Sequence, residues 1–121
     1  MKRKLDDTKP IFKQIKDLIE DSIMDESFRT GDQVPSTNEL ASFYQINPAT
    51  ARKGMNELVN EEILVKKRGM GMFVTDTAKE IVIEKRKQLF YDQYMLPLKE
   101  EAKKLQMKRE EIIEMLQRED H

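Results

Sequence analysis

Apolar residues recur along this chain at changing intervals, and the changes of interval mark its elements. From Pro10 to about Ser27, Ile11, Ile15, Leu18, Ile19, Ser22 and Ile23 fall at helical spacing, with Lys13, Lys16, Asp17, Glu20 and Asp21 outside the stripe. Asp7 or Thr8 is the expected cap of this first helix, and Pro10 falls in its first turn. Thr30-Gly31-Asp32 is a turn signal, and Gln33-Val34 before Pro35 should be extended. A second helix starts at Ser36, because Ser36 and Glu39 form an S-x-x-E capping box; Leu40, Ala41, Phe43 and Tyr44 supply its apolar side. Tyr44-Gln45-Ile46 is a tight link to a third helix, capped by Asn47 with Pro48 at the first helical position, where a missing N–H costs nothing. Ala51, Met55, Leu58 and Val59 make its apolar face, opposite Ala49, Thr50, Arg52, Lys53 and Asn56. Beyond Asn60 come two short apolar runs, Ile63-Leu64-Val65 and Met72-Phe73-Val74. They flank Lys66-Lys67-Arg68 and Gly69-Met70-Gly71, which reads as a hairpin with a basic tip.

Two short helices joined by a brief turn, the second capped and exposed on one side, followed directly by a basic-tipped ribbon, are the layout of a winged helix-turn-helix. The fold class expected is mostly α with one small β-hairpin, followed by a helical hairpin. Thr77 and Glu80 repeat the capping-box pattern, and a long helix is expected from Ala78 to about Gln106. Ile81, Val82, Leu89, Phe90, Leu96, Leu98, Ala102 and Leu105 are its apolar positions, and Pro97 should kink or split it. Gln106-Met107-Lys108 is the expected joint to a last helix, about Arg109 to Arg118, with Ile112, Ile113, Met115 and Leu116 on its buried side. A helical hairpin this short has little core of its own. Its apolar face needs either the winged domain or a second copy, and the dimer is the stronger reading. The dimerisation residues expected are Ile81, Leu89, Phe90, Leu96, Leu98, Leu105, Ile112 and Leu116. The division expected is an arm over residues 1–9, a winged domain over 10–76 and a helical dimerisation region over 77–121.

Composition narrows the function. Charged residues make up 37% of the chain but sum to a net charge of -1, so nucleic-acid binding would rest on a local patch and not on global basicity. Cysteine is absent, which removes disulfides and thiolate metal sites. The single histidine, His121, is the last residue and reads as a solvated tail or a tag remnant. No apolar run reaches membrane-spanning length and no signal-peptide core is visible, so a soluble cytoplasmic protein is expected. Enzyme chemistry finds little support: Gly69-Met70-Gly71 lacks the third glycine of a dinucleotide loop, and the carboxylates are spread over helix surfaces. No cofactor and no metal is expected.

The physical case points to double-stranded DNA. The third helix would enter the major groove N-terminal end first, where base edges carry a distinguishable code. Asn47 and Ala49 permit close approach, Thr50 suits a phosphate or a thymine methyl, and the fork of Arg52 matches guanine. Lys53, Lys66 and Lys67 are candidate phosphate contacts, and Arg68 is placed for a narrow minor groove. Ser36 and the N–H groups at the start of the second helix suit a phosphate. Lys2, Arg3 and Lys4 are either further phosphate contacts or a solvated arm. For any one residue the competing account is a solvated face, or a charged strand edge that blocks aggregation.

Pro10-Ile11, Gln14-Ile15, Gly31-Asp32, Val34-Pro35-Ser36, Glu39-Leu40-Ala41, Thr50, Glu57-Leu58 and Gly69 with Gly71-x-Phe73-Val74 together resemble the DNA-binding domain of GntR-type bacterial transcription regulators. The segment Ile46-Asn47-Pro48-Ala49-Thr50-Ala51 and the short remainder look most like the YtrA-type subgroup, whose members carry a small helical dimerisation region. The resemblance implies a two-fold symmetric repressor. It places Arg52 at a base- or phosphate-contacting position and Arg68 and Gly69, with Gly71, at the wing. It also marks departures: Asn38 stands where members often have Arg, Pro48 where they have Arg or a small polar residue, Met72 for a usual Thr and Gly54 for a usual Ala. The last should weaken the helix by about 1 kcal/mol relative to alanine. The alternatives are a winged-helix protein-interaction module, and the same regulator with a small-molecule effector in the helical region. Phe90, Tyr91 and Tyr94 read as packing, so the effector stays unsupported.

Overall fold

The structure, a computed structural model, describes residues 4–120; the expectations for Lys2, Arg3 and His121 fall outside the described residues. The element order is α1 (Ile11–Met24), α2 (Thr37–Tyr44), α3 (Pro48–Asn60), β1 (Leu64–Lys67), β2 (Gly71–Val74), α4 (Ala78–Phe90), a π-helical turn (Tyr91–Met95), α5 (Leu96–Lys104) and α6 (Arg109–Gln117). The chain forms two compact units that divide inside α4, between Glu84 and Lys85.

In the first unit, α1 and α2 both pack on α3, and the sheet follows it. The core is the apolar stripes read from the sequence: Ile15, Leu18, Ile19 and Ile23 of α1, Leu40 and Ala41 of α2, Ala51, Met55 and Leu58 of α3, closed by Ile63, Leu64 and Val74. Ala78 and Val82 of α4 belong to this core, and half-buried Ile81, expected on the dimerisation surface, also packs against it. Phe43, expected on the apolar side of α2, stays 63% exposed, its ring edge-on to Tyr44.

The start of α1 differs from expectation. Neither Asp7 nor Thr8 caps it; Pro10 is the N-cap residue and makes no side-chain cap. Gln14 reaches back instead, accepting from the Asp6 backbone N–H at 2.7 Å and donating to the carbonyls of Asp6 and Lys9. Leu5 packs against the core, so residues 4–9 are a clipped turn and not a loose arm.

Lys16 of α1 joins α3 through Glu57 at 2.9 Å and Glu61 at 2.8 Å. Partial burial pulls the Lys16 ammonium down, but hydrogen bonds to Glu61 and Glu57 together outweigh that and hold its pKa above the ordinary lysine value of 10.5. Protonation is therefore favoured by folding. The contribution is complete below about pH 10 and disappears as pH rises through the still higher folded value. Lys16→Met should cost about 1 kcal/mol at pH 7 and flatten stability against pH above 10, read by denaturant titration at several pH values.

Three helix ends share one device. Gln45, Glu62 and Gln106 take left-handed φ of 56°, 64° and 56°. The next residue then donates back five positions, Ile46 to Ala41, Ile63 to Leu58 and Met107 to Ala102. Each left-handed residue is polar and its successor apolar, which stops the helix and turns the chain inward.

The second unit carries the rest of the expected helix. Pro97 neither splits it nor leaves a break. The Leu96 N–H bonds Tyr91 O, so the turn before the proline is widened by one residue and makes room for its ring. Here the rings of Phe90 and Tyr94 meet at 5.3 Å with their planes tilted by 51°, and the Lys99 ammonium bonds the Tyr91 hydroxyl at 2.9 Å. The side of α6 expected to be buried is not: Ile113, Met115 and Leu116 are exposed at 45, 50 and 73%, and Ile112 is half-buried. One copy of the chain does not cover this stripe.

Candidate nucleic-acid interface

The caps that start α2 and α3 form as the side chains dictate. Ser36 Oγ accepts from the Glu39 N–H at 3.0 Å while the Glu39 carboxylate accepts from the Ser36 N–H at 2.9 Å. That backbone bond, and then the Ser36 side chain, hold the Glu39 carboxyl below the ordinary glutamate range. Its negative charge therefore sits at the start of α2. Ser36 keeps its hydroxyl proton to offer a phosphate, beside an adjacent carboxylate. Asn38 is exposed on the same helix.

In α3, Asn47 Oδ1 accepts from the Ala49 N–H at 2.8 Å. Burial of Ala51, Gly54, Met55 and Leu58 turns Pro48, Ala49, Arg52, Lys53 and Asn56 to solvent, with Thr50 half-buried at the margin. Arg52 has no intramolecular ion pair or hydrogen bond among the described residues. The Lys53 ammonium lies 4.0 Å over the ring of Phe12 on α1. Such a contact fixes an ammonium without consuming its outward donors.

The ribbon pairs Leu64 with Val74, Val65 with Phe73, Lys66 with Met72 and Lys67 with Gly71. Leu64 and Val74 point to the core, while Lys66, Lys67, Arg68 and Gly69 are exposed and Gly71 is half-buried. Met70 N bonds Lys67 O at 2.9 Å to close the tip, with Gly69 at φ 77°. The Lys67 ammonium stands 4.7 Å over Phe73. The extended segment before Pro35 proves to be a third partner of this sheet: Val34 N bonds Met72 O and Val74 N bonds Asp32 O. The sequence marked that segment as extended; its pairing, and the role of Gln33 in it, were missed. The signal available was the polar–apolar alternation of Gln33 and Val34 beside a glycine-rich ribbon.

A helix-turn-helix with an exposed, capped third helix and a cationic two-stranded ribbon in one compact unit defines the winged helix-turn-helix class. Within that class the chain belongs to the gntR family of bacterial regulatory proteins, whose family model matches residues 11–74. The family is one of transcription regulators and not of enzymes. Among relatives, the HTH-type transcriptional repressor YtrA of Bacillus subtilis is 31% identical over 84 residues, 69% of this chain and 65% of that one. A solved GntR family transcriptional regulator from Listeria monocytogenes is 31% identical with a TM-score of 0.71, covering 96% of this chain and all of the other. The Streptococcus agalactiae protein BusR, solved with its busAB-promotor DNA, is 26% identical with a TM-score of 0.60, over 89% of this chain and 52% of that one. No helix among the described residues is long and apolar enough to cross a membrane.

Proposed function

We propose that this protein is a sequence-specific DNA-binding repressor that acts in the cytoplasm as a homodimer on a two-fold symmetric operator. The observation that carries the reading is the exposed face of α3, bearing an unengaged Arg52, in the same unit as the cationic ribbon tip Lys66–Gly69. The repressor role of YtrA and the DNA complex of BusR support it. In this reading Asn47, Ala49, Thr50 and Arg52 enter the major groove. Lys53, Lys66 and Lys67 meet phosphates, Arg68 follows the minor groove, and the glycines of the tip let backbone approach the duplex. Asn38 lies at the flank of the same surface. The region from Thr77 onward supplies dimerisation. Leu89, Phe90, Leu96, Leu98 and Leu105 are exposed in the single chain, as is Leu116, and Ile112 is half-buried. A second copy that covers them would place two α3 helices in successive major grooves, about 34–36 Å apart.

Selection of bound duplexes from a random pool tests this reading. A palindromic site with half-sites one helical turn apart is the expected result; no enrichment over a control helix bundle would refute it. Lys67→Ala should weaken binding to every sequence alike and lower the salt slope by about one unit, measured by titrating affinity against salt. A loss confined to one operator would remove the phosphate role.

A further inference from the structure

We propose that Gln33, in the connector between α1 and α2, is the positioning residue of the wing, an inference that rests on the regulator reading above. Three observations converge on it. The backbone of Gln33 bridges Phe73 in antiparallel fashion. With Val34 N on Met72 O and Val74 N on Asp32 O, this is a non-hydrogen-bonded pair, the kind whose side chains stand closest. Gln33 and Phe73 therefore share one face of the sheet, and Gly71, two residues from Phe73, lies on that face too. The Gln33 side chain crosses over Gly71, and its Nε2 donates to the Met70 carbonyl at 2.8 Å. A Cβ on Gly71 would stand 2.6 Å from that nitrogen, so glycine at 71 is what leaves the path open. Gly71 also has φ 122°, a conformation other residues rarely adopt.

The consequence is mechanical. A two-stranded ribbon is marginal by itself and free to twist at its tip. Gln33 ties that tip to a segment anchored in the core through buried Val34. It fixes the height and tilt at which Arg68 and Met70, flanking Gly69, are presented. Neither strand of the ribbon supplies this restraint. Gln33 needs no DNA contact of its own to act.

Gln33→Met tests the inference, since it keeps the length of the side chain and removes the donor. Two measurements are made on the full chain. Hydrogen exchange of the wing-tip amides, Met70 above all, should accelerate by about 3- to 10-fold while the melting temperature barely moves. Affinity for the selected operator should fall by a similar factor, and adding Arg68→Ala to Gln33→Met should cost less than the product of the two single losses. Unchanged exchange, unchanged affinity, or losses that multiply would each overturn the positioning role. The exchange measurement needs no DNA, so it judges the clamp even if no duplex is ever selected, an outcome that would sink the regulator reading instead.

Discussion

Arg52→Ala lowers affinity for the operator by about 1–3 kcal/mol and relaxes the base preference at one position of each half-site, while the melting temperature stays within about 2 °C. The expectation follows from what Arg52 lacks. It is exposed on α3, one turn from the Asn47 cap, and has no ion pair or hydrogen bond among the described residues. Removing it leaves no buried partner stranded, so stability has no reason to change. Its neighbour Lys53 is held over Phe12, which makes it a fixed charge better suited to phosphate than to a base. The guanidinium fork can pair with the O6 and N7 of one guanine, and a bidentate pair of this kind carries discrimination. Affinity on the selected operator and on single-base variants of it gives the answer. If Arg52→Ala binds every variant as the parent does, Arg52 is a solvated residue and the reading helix faces elsewhere.

Gly54→Ala destabilises the winged unit by about 1–3 kcal/mol, the reverse of what helix propensity alone predicts. In an isolated helix alanine would be better by about 1 kcal/mol. Here α3 crosses α1 so closely that a Cβ at position 54 would lie 2.7 Å from the Phe12 carbonyl oxygen and 3.4 Å from Ile15 Cβ. The obstacle is backbone and cannot swing aside. Either α1 moves away, loosening the core in which Ile15 and Met55 are both fully buried, or Phe12 O is crowded. The Lys16 links to Glu57 and Glu61 bridge the same two helices and would be stretched by the same movement. Thermal unfolding settles the sign, and a higher melting temperature for Gly54→Ala would mean that the helices stand further apart than described.

Gly54 also shows where reading the chain in one dimension stops. Its cost to the helix was visible; its purpose was not, because the atom it makes room for is 42 residues away. Local chemistry was legible. The Ser36–Glu39 box, the Asn47 cap, the apolar face of α3 and the basic tip could be written down from neighbours a few residues apart, and they appear where expected. Features made by distant partners were not. The pairing of Gln33 with Phe73 needs strand neighbours that nothing local declares. The α1 cap was misplaced because no side chain caps this helix; Gln14 instead ties the preceding turn to it through the backbone of Asp6 and Lys9. Pro97 was read as a kink or a split because interior proline usually costs a hydrogen bond; the helix does not split, and the widened turn before the proline was not foreseen. For the last helix, periodicity marked an apolar side correctly but could not say what would lie against it.

The left-handed stops at Gln45, Glu62 and Gln106 have a consequence for how this protein can adapt to heat. An L-residue in that conformation carries a penalty of about 1–2 kcal/mol that glycine escapes and asparagine partly escapes. Part of any gain is returned through the freer unfolded chain. Three such sites still leave a lineage moving into warmer habitats room to toughen its helix ends one substitution at a time. Glu62 offers that room just past the end of α3 opposite its cap, and Gln106 offers it within the second unit, so operator choice would stay as it was.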